Sequence, residues 1–143
     1  MKEAEILYIE DNEDYIEFVK RAIRKINGEL NFGVVMDGKS TLEFFEQDSK
    51  KKKVPRLILL DINLPDYNGI DLLKRLRDRE ATRYVPIVML SSSESLQDMK
   101  RSFDCGANAY LIKPIGLTPL TETLNSLCNF WLNHNQTVEN FAA

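Results

Sequence analysis

The chain has 143 residues, 43% hydrophobic and 29% charged, which is enough apolar material for one core in one domain. Its 19 basic against 22 acidic residues give a formal net charge of −3, which argues against a direct DNA binder held by phosphate contacts. No apolar run approaches the ~20 residues of a membrane span, and the acid-bearing start Met1-Lys2-Glu3-Ala4-Glu5 is no secretory signal. Cys105 and Cys128 lack zinc-site or disulfide-framework spacing, so a cytoplasmic location without membrane contact is expected.

Short apolar runs alternate with longer amphipathic ones. Ile6-Leu7-Tyr8-Ile9 predicts a strand, and Tyr15, Val19, Ala22, Ile23 and Ile26 predict a helix over 14–26 that stops near Gly28. A weaker strand is expected over 32–36, a short helix over 40–47 and a basic, solvated connector over 50–53. The nearly all-apolar stretch 54–60 predicts a strand covered on both faces. A turn signal, Leu64-Pro65-Asp66-Tyr67-Asn68-Gly69, leads to a helix over 70–77 with Asn68 as its cap. Then come a strand over 84–90, a helix over 95–103 capped by Ser93 or Ser95, a strand over 109–112 and a helix over 117–132. One domain is expected over 1–134, followed by a polar tail over 135–143 and no output domain.

Five strand–helix units in series predict an α/β fold, a flavodoxin-like (βα)5 doubly wound parallel sheet with strand order 2-1-3-4-5. In such sheets ligands bind beyond the carboxyl ends of the strands. Those ends carry Glu10-Asp11, Asp61, Ser91-Ser92-Ser93 and Lys113-Pro114. Two carboxylates about 5 Å apart repel by roughly 3 kcal/mol at an effective dielectric of 20. A hard divalent ion with oxygen ligands resolves such a conflict, and Mg2+ suits it because it needs few carboxylates and keeps waters for a phosphoryl oxygen. Ser91 offers a hydroxyl donor and Lys113 a compact cation, a set suited to phosphoryl chemistry. The single histidine, His134, lies in the last part of the chain, so the nucleophile must be a carboxylate. Asp61 stands alone at the end of the central strand and is the best candidate, whereas Glu10 and Asp11 form a pair suited to the metal.

These pieces resemble the receiver domain of two-component response regulators. The matching segments are Ile9-Glu10-Asp11-Asn12, then 59–65 with Asn68-Gly69 after it, 86–91 and 106–114, in the family's order over about residues 4–132. The resemblance implies that Asp61 is the phosphoacceptor, charged by a histidine kinase or a histidine phosphotransfer protein. It implies Mg2+ bound directly by Asp11 and Asp61, by Glu10 directly or through a water, and by the backbone carbonyl of Asn63. Ser91 and Lys113 would meet the phosphoryl oxygens, and Ser91 with Tyr110 would form the switch. The Lys113–Pro114 bond would be cis. The face made by the fourth helix, fifth strand and fifth helix would meet an unidentified downstream protein, or a second copy of the chain. Phe130-Trp131-Leu132 and the Ser91-to-Glu94 turn resemble the single-domain regulators associated with phytochrome kinases.

Two departures stand out: Ser92 where the family usually has Ala or Gly, and a Glu-Asp acidic pair in place of Asp-Asp. Each feature also has a plain reading. Glu10 and Asp11 could be helix-capping acids, Lys113 a solvated lysine, and Tyr110 a static ring. A hydrolase of the haloacid-dehalogenase type is the competing chemistry, but it wants a second carboxylate where this chain has Asn63. A nucleotide or flavin module would want a glycine-rich loop after the first strand, where this chain is acidic.

Overall fold

The computed structural model describes residues 4–46 and 54–137. The basic connector over 50–53 and the end of the polar tail lie outside the described residues. The strands are β1 (Ile6–Ile9), β2 (Phe32–Val35), β3 (Leu57–Leu60), β4 (Ile87–Ser91) and β5 (Ala109–Ile112). The helices are α1 (Glu13–Ile26), α2 (Gly38–Glu46), α3 (Gly69–Asp78), α4 (Leu96–Asp104) and α5 (Leu117–Cys128), and a π-helical turn, Asn129–His134, continues α5. All strands are parallel, in the order β2-β1-β3-β4-β5. This is the predicted flavodoxin-like order.

Period-two alternation distributes each strand between two cores. Ile6, Tyr8, Leu57, Leu59, Val88 and Leu90 face α1 and α5, against Val19, Ile23, Leu120 and Leu124. Leu7, Ile9, Ile58, Leu60, Ile87 and Met89 face the other way, against Leu42, Phe45, Ile70, Leu73 and Leu76. Strands β1, β3 and β4 are buried from end to end. Each fully buried Leu or Ile contributes about 1.5–3 kcal/mol relative to exposure.

Caps set the helix starts. Asn12 Oδ1 accepts from Tyr15 N at 2.9 Å, Asn68 Oδ1 from Ile70 N at 2.8 Å and Ser95 Oγ from Asp98 N at 3.3 Å. Helix α2 begins two residues before the predicted start. Asp37 Oδ1 accepts from Ser40 N, and Asp66, far along the chain, accepts from Gly38 N at 2.8 Å and Lys39 N at 2.9 Å. Strand β4 begins three residues late, because Tyr84 is 61% exposed beneath the Arg83 guanidinium, 4.8 Å from its ring centroid. At the end of α5 the π-helical turn distributes three successive apolar residues: Leu132 is buried, Trp131 is half-buried against the core and Phe130 is exposed. Every described peptide bond is trans, so the cis Lys113–Pro114 bond is corrected. The trans form is the more stable one even before proline, and Gly116, with a φ of +99°, leads into α5.

At the amino ends of β4 and β5, Arg77 ties two loops together. Its guanidinium donates to the carbonyls of Gly106, Thr82, Arg83 and Val85 at 2.7–3.2 Å, and to Asn108 Oδ1 at 2.8 Å. Asn108 Oδ1 in turn accepts from Ile87 N at 2.8 Å. Cys128 is buried, with its thiol pushed up to about 11 by that burial, and serves packing.

Candidate functional site

The carboxyl ends of β1, β3 and β5 bring the predicted acids and the lysine together. Glu10 follows β1 and is fully buried, while its neighbour Asp11 is exposed. Asp61 follows β3, is buried, and accepts from Ile62 N at 2.8 Å through Oδ1. The parallel pairing of β1 with β3 sets the two side by side, and Asp61 N donates to Ile9 O at 3.1 Å. One carboxylate oxygen from each of Glu10, Asp11 and Asp61 falls within a span of 4.8 Å. Lys113, at the end of β5, donates to Glu10 Oε1 and lies 3.4 Å from Asp61 Oδ2.

Burial, and then the neighbouring Asp61 carboxyl, raise the pKa of Glu10, and Lys113 opposes them only in part. The donor set is all oxygen, acidic and short by at least one positive charge. It fits a hard divalent cation, with Glu10, Asp11 and Asp61 as the residues to hold it. The sign of the linkage follows from the raised pKa. In the metal-free fold the raised pKa means that the protonated form of Glu10 is favoured relative to the unfolded chain, so its contribution is fully present below the ordinary Glu value, about 4.3. That contribution is lost as pH rises through the raised value. A divalent cation needs the ionised form and expels the proton. The gain in Tm on adding magnesium chloride is therefore expected to grow as pH rises from the ordinary carboxylate range toward neutrality. A pH series of thermal melts, with and without the salt, checks this. A gain that shrinks with pH would contradict the placement of Glu10.

Two tyrosines absent from the predicted site flank the acids. Tyr8 is fully buried and its hydroxyl donates to Glu10 Oε1 at 3.1 Å. Burial, with Glu10 beside it, holds the Tyr8 phenol far above its ordinary range. Tyr15, in the first turn of α1, lays its ring under the Lys113 ammonium, 4.7 Å from the centroid, and donates to Pro114 O at 3.2 Å. Its phenol is pushed up to about 12 by burial and by Glu10. Both occupy positions whose pattern asks only for an apolar residue, so no local feature marks their hydroxyls as part of the site.

The remaining predicted residues sit around this centre. Ser91 ends β4 fully buried, and its Oγ accepts from Ser93 N at 3.2 Å. Tyr110 is half-buried, and its hydroxyl donates to Ser93 O at 2.9 Å, on the same loop as Ser91. Asn63 pairs with Asn68 in an isolated antiparallel bridge that closes the loop after β3. Gly69 N donates to Ile62 O at 2.6 Å, and a Cβ at Gly69 would lie 2.0 Å from Asp61 O. That close approach requires glycine.

The sequence pattern of the response regulator receiver domain matches residues 6–125. The chain belongs to that family. The receiver is 30% identical over 132 residues to the probable methanogenesis regulatory protein FilR2 of Methanothrix harundinacea, across 92% of this chain and 85% of the relative. It is 28% identical to the response regulator Rcp1 of Synechocystis, across 89% of this chain and 88% of the relative. Among solved structures it resembles the phosphorylated cyanobacterial phytochrome response regulator RcpA, with a TM-score of 0.84 at 27% identity over 93% of this chain and 96% of that one. It also resembles the Mn(2+)-bound form of Rcp1, with a TM-score of 0.81 at 26% identity over 92% and 96%. The receiver is thus a two-component signalling module of the kind whose phosphorylation falls on an aspartate with a divalent cation, and its cluster of Glu10, Asp11 and Asp61 fits that chemistry. None of its described helices is long and apolar enough to cross a membrane.

Proposed function

We propose that this receiver accepts a phosphoryl group on Asp61 from a histidine kinase or a histidine phosphotransfer protein. Mg2+ would be held by Glu10, Asp11, Asp61 and the backbone carbonyl of Asn63. The observation that carries this reading is the convergence of those three carboxylates within 4.8 Å, with Lys113 3.4 Å from Asp61 Oδ2. When bound, Mg2+ neutralises charge on the phosphoryl oxygens.

The protein's own groups do the rest. An Asp61 carboxylate oxygen forms a bond to phosphorus as the donor's P–N bond breaks, and the departing imidazole takes up a proton. The Lys113 ammonium moves from the carboxylates to a phosphoryl oxygen, a charge-assisted contact. Ser91 turns its hydroxyl from Ser93 N toward the same group, which shifts the loop after β4. Tyr110 is tied to that loop through Ser93 O, so the switch reaches β5. The receiver turns over no external substrate and catalyses only its own phosphorylation and dephosphorylation.

The α4–β5–α5 face is the proposed output surface. Leu96, Phe103 and Ile112 are 65%, 52% and 41% exposed there, apolar area suited to a downstream protein or a second copy of the chain. The match covers 85% of FilR2 and 88% of Rcp1, which supports action through the receiver itself, and the excess of acidic over basic residues supports action without direct DNA binding. Similarity to RcpA, and to a response regulator in red light signalling of R. palustris, supports a phytochrome-type kinase as the input.

Incubation with acetyl phosphate and magnesium chloride is expected to add one phosphoryl group per chain by intact mass, and a chelator should reduce labelling to background. Labelling that ignores the chelator, or sustained turnover of a phosphomonoester, would overturn the assignment in favour of another chemistry.

A further inference from the structure

Position 8 lies in the middle of β1, on the face packed against α1 and α5. Its neighbours there are apolar, and a Val or Leu would satisfy the pattern. The chain instead buries a phenol completely, its ring 6.2 Å from that of Phe32. A buried hydroxyl needs a partner. Residues i and i+2 of an extended segment share a face, so Glu10 is the acid within reach, and the bond is made at 3.1 Å. The longer reach of Glu over Asp gives this contact a bearing on the Glu-Asp form of the acidic pair.

Three donors hold the Glu10 carboxylate. Tyr8 Oη and Lys113 Nζ both serve Oε1, and Asp11 N serves Oε2 at 3.1 Å. They are not equivalent. Lys113 is shared with Asp61, and in the proposed transfer it is drawn off to the phosphoryl group. Asp11 N belongs to the loop that presents the neighbouring acid. Tyr8 is locked in the core and stays a donor whichever way Lys113 moves. We propose that Tyr8 is a positioning residue, whose buried hydroxyl fixes the orientation of the Glu10 carboxylate for the divalent cation and keeps it there once Lys113 has left. This inference rests on reading Glu10 as a metal ligand.

The test measures Mg2+ binding to the unphosphorylated full chain by calorimetry, in the parent, Tyr8→Phe, Glu10→Gln and the double variant. Tyr8→Phe keeps the ring and loses one oxygen, and a melt in chelator reports folding separately. Loss of a partner that orients a ligand weakens metal affinity about tenfold. The expected result is therefore about tenfold weaker binding in Tyr8→Phe, a loss at least as large in Glu10→Gln, and a double variant no weaker than Glu10→Gln alone. A purely structural Tyr8 would shift the melt and leave the affinity unchanged. Parental affinity in Tyr8→Phe with loss in Glu10→Gln overturns the inference alone. Parental affinity in both overturns the ligand reading beneath it as well. A double variant that loses the product of the two single effects shows Tyr8 acting independently of Glu10, and also overturns the inference.

Discussion

Asp61→Asn is expected to lower acyl-phosphate formation from acetyl phosphate by roughly 10³-fold or more, a loss of the size seen when a nucleophile is removed. An amide oxygen lacks the negative charge that attacks phosphorus. The substitution otherwise preserves the surroundings: the side-chain oxygen can still accept from Ile62 N, and Lys113 keeps its bond to Glu10. It also removes an acid that helps hold the Glu10 pKa up. The metal-free variant should therefore melt no lower than the parent, while the stabilisation by magnesium falls. Intact-mass labelling and melts with and without the salt measure both effects. Labelling at the parental rate would place the phosphoryl group elsewhere.

Gly69→Ala acts on the same site through the backbone. The added methyl would sit 2.0 Å from Asp61 O, 2.7 Å from Ile62 Cα and 2.8 Å from Asp61 C. All three are main-chain atoms at a buried turn, so no side chain can swing aside. Overpacking of this kind costs about 3 kcal/mol, which corresponds to a fall in Tm of roughly 10 °C for a domain of this size. The relaxation must displace Asp61, so Mg2+ affinity and labelling should fall with the stability. A Gly69→Ala variant with parental Tm and labelling would show that the loop has slack the distances deny it.

The central site was legible because its logic is topological. Alternating strands and helices predict a parallel sheet, and a parallel sheet gathers strand ends, so Glu10, Asp11, Asp61 and Lys113 could be grouped from the order of elements alone. What was hidden depends on contacts with no local signature. Asp66 caps α2 from the loop after β3, which moved the start of that helix. Tyr15 reaches Pro114 across 99 residues of sequence. Tyr8 read as one more apolar member of β1, and only its burial beside Glu10 gives its hydroxyl a role. Helix α5 ends at Cys128, before the expected 132, and its π-helical continuation runs past it to His134; no residue announces the change at Asn129.

The Arg77 clasp bears on how a signal would travel. It binds the segments leading into β4 and β5 to one another and to the end of α3, at the pole of the sheet opposite the acids. With that pole bolted, the two strands cannot slide as rods when chemistry pulls on their far tips. Under the proposed switch, strain arising there would be released sideways, into α4 and the exposed rim beside it, so that a small rearrangement would reshape one flank of the molecule.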